Sequence, residues 1–169
     1  MTDEVDPYRR LRPKAATPNN EICVCDSATS IVLQPHFSPN PLSCARCNLE
    51  VPPERIGLDA AIVESVATWR RFHEAFYVLW LDSGEFEDWA ADQLSDPVSP
   101  VNRRGLALAR QLSKWRRCYL WWFQIEDIEE GTSTVCPGCA LPLEPRFTGE
   151  RPQGGGLLVC ETCLLAIAV

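Results

Sequence analysis

Nine cysteines in 169 residues constrain this chain more than any other feature, because eight of them fall in four close pairs. The pairs are Cys23-x-Cys25, Cys44-x2-Cys47, Cys136-x2-Cys139 and Cys160-x2-Cys163. The count is odd, and the opening MTDEVDPYRR holds three acids and no apolar run. Such a start does not read as a secretory signal, so a reducing, cytoplasmic setting is expected. In that setting, paired cysteines point to metal ligation rather than to disulfides.

The second set, Cys136, Cys139, Cys160 and Cys163, has two regular knuckles separated by twenty residues. Zinc favours a tetrahedron of four thiolates, and two C-x2-C knuckles supply two ligands each. Strand-like alternation runs through Leu141 to Pro145, Leu157 to Cys160 and Leu164 to Val169, with TGERPQGGG as a hairpin tip. Knuckle, hairpin, knuckle and strand is the order of a zinc ribbon. A redox C-x2-C would instead open a helix beside a parallel strand, and these flanks do not read that way. The first set, Cys23, Cys25, Cys44 and Cys47, has a knuckle one residue short, which changes how backbone N–H groups reach the sulfurs. An all-cysteine site is expected here too. His36 is an alternative ligand to Cys23, although a place on the hairpin suits it better. Local pairing within each set and cross-bracing between the sets are both open, and the eighteen- and twenty-residue gaps favour the local hairpin. Two structural Zn²⁺ ions follow. Four protein thiolates leave no open coordination position, so hydrolytic catalysis is not expected.

Proline divides the remainder. None occurs between Glu54 and Asp96 or between Val101 and Cys136, so long helices belong in those two windows. Leu58, Ile62, Val66, Trp69, Phe72, Phe76 and Trp80 make a broad apolar stripe at helical spacing. That helix should stop near Asp82-Ser83-Gly84. Ser83 should then cap a short second helix from Glu85 to about Leu94. A third helix is predicted from an Asn102 N-cap, on a stripe of Leu108, Leu112, Trp115, Tyr119 and Trp122, as far as Glu130. Cys118 would lie on its apolar side as a buried, inert thiol. The expected fold class is α+β: two four-cysteine zinc ribbons flanking a central helical hairpin with a short intervening helix. Its parts are a flexible polar tail (1–20), an N-terminal ribbon (21–52), a helical segment (53–131) and a C-terminal ribbon (132–169).

Charge is blocked. Asp82 to Asp96 holds six acids and no base, whereas Arg103 to Arg117 holds six bases and no acid. Arg103, Arg110, Lys114 and Arg117 would share one face of a continuous third helix, a candidate strip for DNA or RNA phosphates. The other reading folds the acidic helix back on the basic one and neutralises it. Net charge is −7, and two four-thiolate sites on divalent cations would take it to about −11. Non-specific duplex binding is therefore opposed, and any nucleic-acid contact must be local. A protein adaptor presenting ribbon edges and aromatics such as Trp121 is the alternative. No run of about 18 apolar residues suits a membrane, and no phosphate loop or acid/base pair suggests a small-molecule substrate.

The segments LWLDSGEFEDWA (79–90), DPVSPVNRRG (96–105) and CYLWWFQ (118–124), with a cysteine-paired ribbon at either end, carry a resemblance. Over roughly residues 22–169 the chain resembles an uncharacterised bacterial family of zinc-ribbon-containing proteins with a suggested nucleic-acid-binding role. That resemblance implies metal binding and nucleic-acid contact, and it carries over no catalytic residue. The one-residue Cys23–Cys25 spacing departs from its usual knuckle.

Overall fold

The structure, a computed structural model, describes residues 6–25, 30–35, 38–125, 133–147 and 155–169. Strands β1 (Ser30–Leu33) and β2 (Leu42–Cys44) form an antiparallel hairpin within the first cysteine set. Strand β3 (Arg117–Trp121) follows the helices. Strands β4 (Glu144–Phe147), β5 (Leu157–Cys160) and β6 (Leu165–Ala168) then form an antiparallel meander in and after the second set. All six join in one sheet, ordered β2-β1-β3-β6-β5-β4. The seam is β3, which runs parallel to β1 and to β6. The molecule is thus mixed α/β, and its two cysteine-bearing hairpins share one sheet rather than standing apart.

Four helices lie between β2 and β3: α1 (Pro53–Ile56), α2 (Ala60–Asp82), α3 (Glu87–Ser95) and α4 (Pro100–Leu112). Asp59 caps α2 by accepting the Ile62 N–H at 2.9 Å. The helix ends at Asp82, as its stripe and the following Gly84 (φ 65°) require. Ser83 accepts the Phe86 N–H at 3.1 Å and turns the chain into α3, which packs back along α2 through Ala90, Ala91 and Leu94. No helix among the described residues is long and apolar enough to cross a membrane.

Three expectations change. The third helix stops at Leu112, not Glu130, and RCYLW (117–121) becomes a central strand. Ser113 makes the turn: its Oγ donates to the Ala109 carbonyl at 2.9 Å and accepts the Cys118 N–H at 3.0 Å. Strand β3 is covered by neighbours, so it reads as a continuous apolar run, and such a run carries no alternation to distinguish it from helix. The part of the expected helix from Glu126 onward lies outside the described residues. Second, Ser99, not Asn102, caps α4, accepting the Asn102 N–H at 3.3 Å. Asn102 is buried inside the helix and donates to the carbonyls of Leu94 (2.8 Å) and Asp96 (2.9 Å), which pins the end of α3. Third, the polar N-terminal stretch is seated, as far as it is described. Leu11 is buried in the core, Arg10 reaches Glu64 at 2.7 Å, and Arg12 reaches Asp6 at 2.9 Å and also Glu54.

The core lies where α4 packs on β3 beside α2. Gly105 of α4 makes that approach: a Cβ there would come within 2.9 Å of Leu120 Cδ1 and of the Trp69 indole nitrogen. The Trp69 N–H donates to the Val101 carbonyl at 3.1 Å, so the indole is fixed against the helix.

Candidate metal centres

The four sulfurs of Cys23, Cys25, Cys44 and Cys47 lie within 4.8 Å of one another, and so do those of Cys136, Cys139, Cys160 and Cys163. The sets pair locally, without cross-bracing. Cys23 belongs to the first cluster, whereas His36 lies outside the described residues. A tetrahedral ion with bonds of about 2.3 Å holds its sulfurs about 3.8 Å apart. The Cys139–Cys160 separation of 3.6 Å fits that geometry and is far beyond a disulfide of about 2.05 Å. The donor chemistry agrees: four soft sulfurs, two buried and two half-buried in each set, suit a thiophilic ion.

Three of the four knuckles share one backbone device. Asn48 (φ 60°), Ala140 (φ 57°) and Leu164 (φ 59°) are the non-glycine residues of left-handed conformation among those described. Each directly follows the second cysteine of a C-x2-C pair. Each donates its N–H to the carbonyl of the first cysteine: Asn48 to Cys44 at 2.9 Å, Ala140 to Cys136 at 2.8 Å, and Leu164 to Cys160 at 2.9 Å. This closed turn aims both sulfurs to one side. In the second set, backbone N–H groups also reach sulfur, from Gly138 to Cys136 Sγ and from Cys163 to Cys160 Sγ, each at 3.4 Å. Gly138 leaves room at this turn, since a Cβ there would lie 3.3 Å from Cys163 Sγ.

Cys23-x-Cys25 is one residue shorter, and the residues that follow it lie outside the described ones. The Cys23 N–H donates to the Glu50 carbonyl at 2.8 Å, as an isolated parallel bridge between Ile22 and Glu50 brings the two segments together. From α1, Arg55 donates to the carbonyls of both cysteines, to Cys23 through Nη1 and to Cys25 through Nη2 at 2.7 Å. Sequence reasoning missed Arg55, because nothing local connects it to a pair thirty residues away.

Burial pushes the Cys25, Cys47, Cys136 and Cys163 thiols up, and neighbouring sulfurs add to this at Cys47, Cys136 and Cys163. The Leu141 N–H holds Cys139 down. At Cys23, burial acts upward but is outweighed by the Cys25 N–H and the other sulfurs. Four sulfurs this close ionise together only beside a compensating cation.

Because β1, β3 and β6 are parallel, both clusters fall at the end of the sheet where these strands begin. Cys44 sits opposite Ile31 near the start of β1, and Cys160 opposite Leu165 at the start of β6. Between them Arg117 opens β3. It donates to Glu161, inside the Cys160–Cys163 knuckle, through Nε to Oε2 at 3.0 Å and through Nη2 to the Glu161 carbonyl at 2.8 Å. Arg146 (Nη2–Oε1 2.7 Å) and the buried Tyr119 hydroxyl (2.7 Å) complete the ring around this carboxylate. Burial pushes the Glu161 carboxyl up, but these donors outweigh it and hold it below the usual range.

The four-residue basic strip does not form one helical face. Arg103 and Arg110 lie exposed along α4, Lys114 is in the turn after it, and Arg117 is on β3 and engaged by Glu161. Helix α3 packs against α4, yet no ion pair joins their charges among the described residues. Cys118 is fully buried on β3, where burial pushes its thiol up. A groove of about 380 Å³ lies between α2 and α4, lined by Glu64, Thr68, Trp69, Arg104 and Gln111 among others. Its Glu64 is occupied by Arg10, and its Arg104 stacks over Phe72 at 4.8 Å.

Compared with family models, with curated proteins and with solved structures, the chain matches none.

Proposed function

We propose that this chain is a non-enzymatic zinc-ribbon protein whose two Zn²⁺ ions are structural and whose α4 surface contacts nucleic-acid phosphates. The observation that carries the metal reading is the pair of four-sulfur clusters, each with all sulfurs within 4.8 Å. Cys23, Cys25, Cys44 and Cys47 would hold one ion, and Cys136, Cys139, Cys160 and Cys163 the other. A bound Zn²⁺ closes each site by charge and geometry, and four thiolates leave it no position for water or substrate. Hairpins this small depend on that closure, so metal loss and loss of order go together. Metal analysis should give two zinc ions per chain, with no thiol titrating in the folded, metal-loaded protein and all nine titrating once it is unfolded with a chelator. A metal-free preparation that keeps full tertiary order overturns this reading.

The phosphate reading rests on Arg103, Arg110 and Lys114, which are without ion-pair partners among the described residues although the acidic α3 packs against α4. Its reach is shorter than a continuous basic helix would give, since Arg117 is held by Glu161. Binding to a short DNA or RNA duplex should weaken steeply with salt, and R110A/K114A should reduce the log–log slope by about 2. Absence of binding at low salt removes this part of the proposal. The adaptor reading draws on half-exposed Phe86 and Trp89 around α3 and predicts a protein partner insensitive to R110A/K114A.

A further inference from the structure

We propose that Arg55 is the positioning residue of the N-terminal metal site, gripping the carbonyls of both cysteines of its short knuckle. The inference deepens the two-zinc reading and rests on it. Three knuckles are C-x2-C, and each closes on itself through a left-handed residue and an N–H-to-carbonyl bond of 2.8–2.9 Å. The fourth, Cys23-x-Cys25, is one residue shorter, and the residue after it lies outside the described residues. Its carbonyls of Cys23 and Cys25 are bound from outside by the two terminal nitrogens of one guanidinium.

A planar fork that grips two carbonyls fixes the angle between the residues that carry them, as a single ammonium could not. The fork is itself fixed. Arg55 sits in the one-turn helix α1, which starts at Pro53 and is closed by Gly57 in the left-handed region (φ 76°). The flanking Ile56 and Leu58 are buried in the core. The short knuckle is thereby oriented by the helical layer, whereas the C-terminal site is oriented by its own two turns. Arg55 also brings a positive charge beside a site whose four thiolates exceed the charge of a divalent ion by two. The two sites should therefore differ in how tightly they keep metal, and only the N-terminal one should depend on position 55.

The test uses full-length protein loaded with cadmium, whose NMR signals are assigned to each cluster through coupling to the cysteine Hβ protons. Exchange of cadmium for added zinc is then followed at each signal in wild type, R55K and R55Q. The expected result is exchange about tenfold faster at the N-terminal signal in R55Q, with a displaced resonance there. R55K should be intermediate, and the C-terminal signal should be unchanged in both. An N-terminal exchange rate in R55Q within twofold of wild type overturns the proposal. So does equal acceleration at both sites in R55K, the milder variant, because that reports general loosening. Fewer than two cadmium signals in wild type would defeat the metal reading itself, before any variant is compared.

Discussion

Replacing Tyr119 with Phe removes one oxygen from the ring of donors around Glu161 and leaves the strand intact. The Tyr119 side chain is buried, and its hydroxyl donates to Oε1 at 2.7 Å. A bond from a neutral donor to an ionised acceptor contributes about 1.5–3 kcal/mol. The arginines on the same carboxylate are different. Arg117 and Arg146 keep 41% and 49% of their side-chain surface in water, and exposed pairs of this kind contribute about 0–1 kcal/mol each. With two guanidiniums still satisfying Glu161, the lower half of the hydroxyl range applies, so Y119F should cost about 1.5–2 kcal/mol and R146Q less than about 1. Urea unfolding at fixed free zinc, so that metal linkage is constant, measures both. In Y119F/E161Q the two losses should overlap, giving a coupling of about 1 kcal/mol. If R146Q costs as much as Y119F, or if the double variant is additive, the ranking by burial is wrong.

Two further perturbations follow from the core and the helices. G105A gains about 1 kcal/mol of helix propensity, but it drives a methyl into Leu120 and the hydrogen-bonded Trp69 indole at 2.9 Å. Overpacking of about 1–3 kcal/mol should win, giving a net loss near 1 kcal/mol with a shift in tryptophan emission; a stabilised variant would contradict the packing. His73 of α2 is buried against Trp69, with ring centroids 5.4 Å apart, and burial lowers its pKa to about 4. The folded state thus favours neutral imidazole. Its contribution is full above the unfolded value of 6.5 and is lost as pH falls from there towards 4, about 3 kcal/mol in all. Subtracting the pH profile of H73Q from that of wild type at fixed free metal isolates this loss, and parallel profiles would refute it.

What the residues announced by themselves was local. Four cysteine pairs at hairpin spacing could reach only their neighbours cheaply, since closing a loop of about twenty residues costs little entropy, and both clusters formed within their own sets. Helix α2 was legible because its stripe runs unbroken from Ile62 to Trp80 between a capping Asp59 and Gly84. Tertiary structure alone decided the rest. Leu108, Leu112, Trp115, Tyr119 and Trp122 kept helical spacing, yet the chain turns at Ser113 and the last two lie in or beside a strand. A strand buried among neighbours carries no period of its own, and its identity comes from β1 and β6, which are far from it in sequence. The same holds for Arg55 on the short knuckle and for Arg117, which looked free as part of a basic strip until Glu161 came beside it. Pairings of that kind are long-range side-chain encounters, and no spacing rule within one segment encodes them.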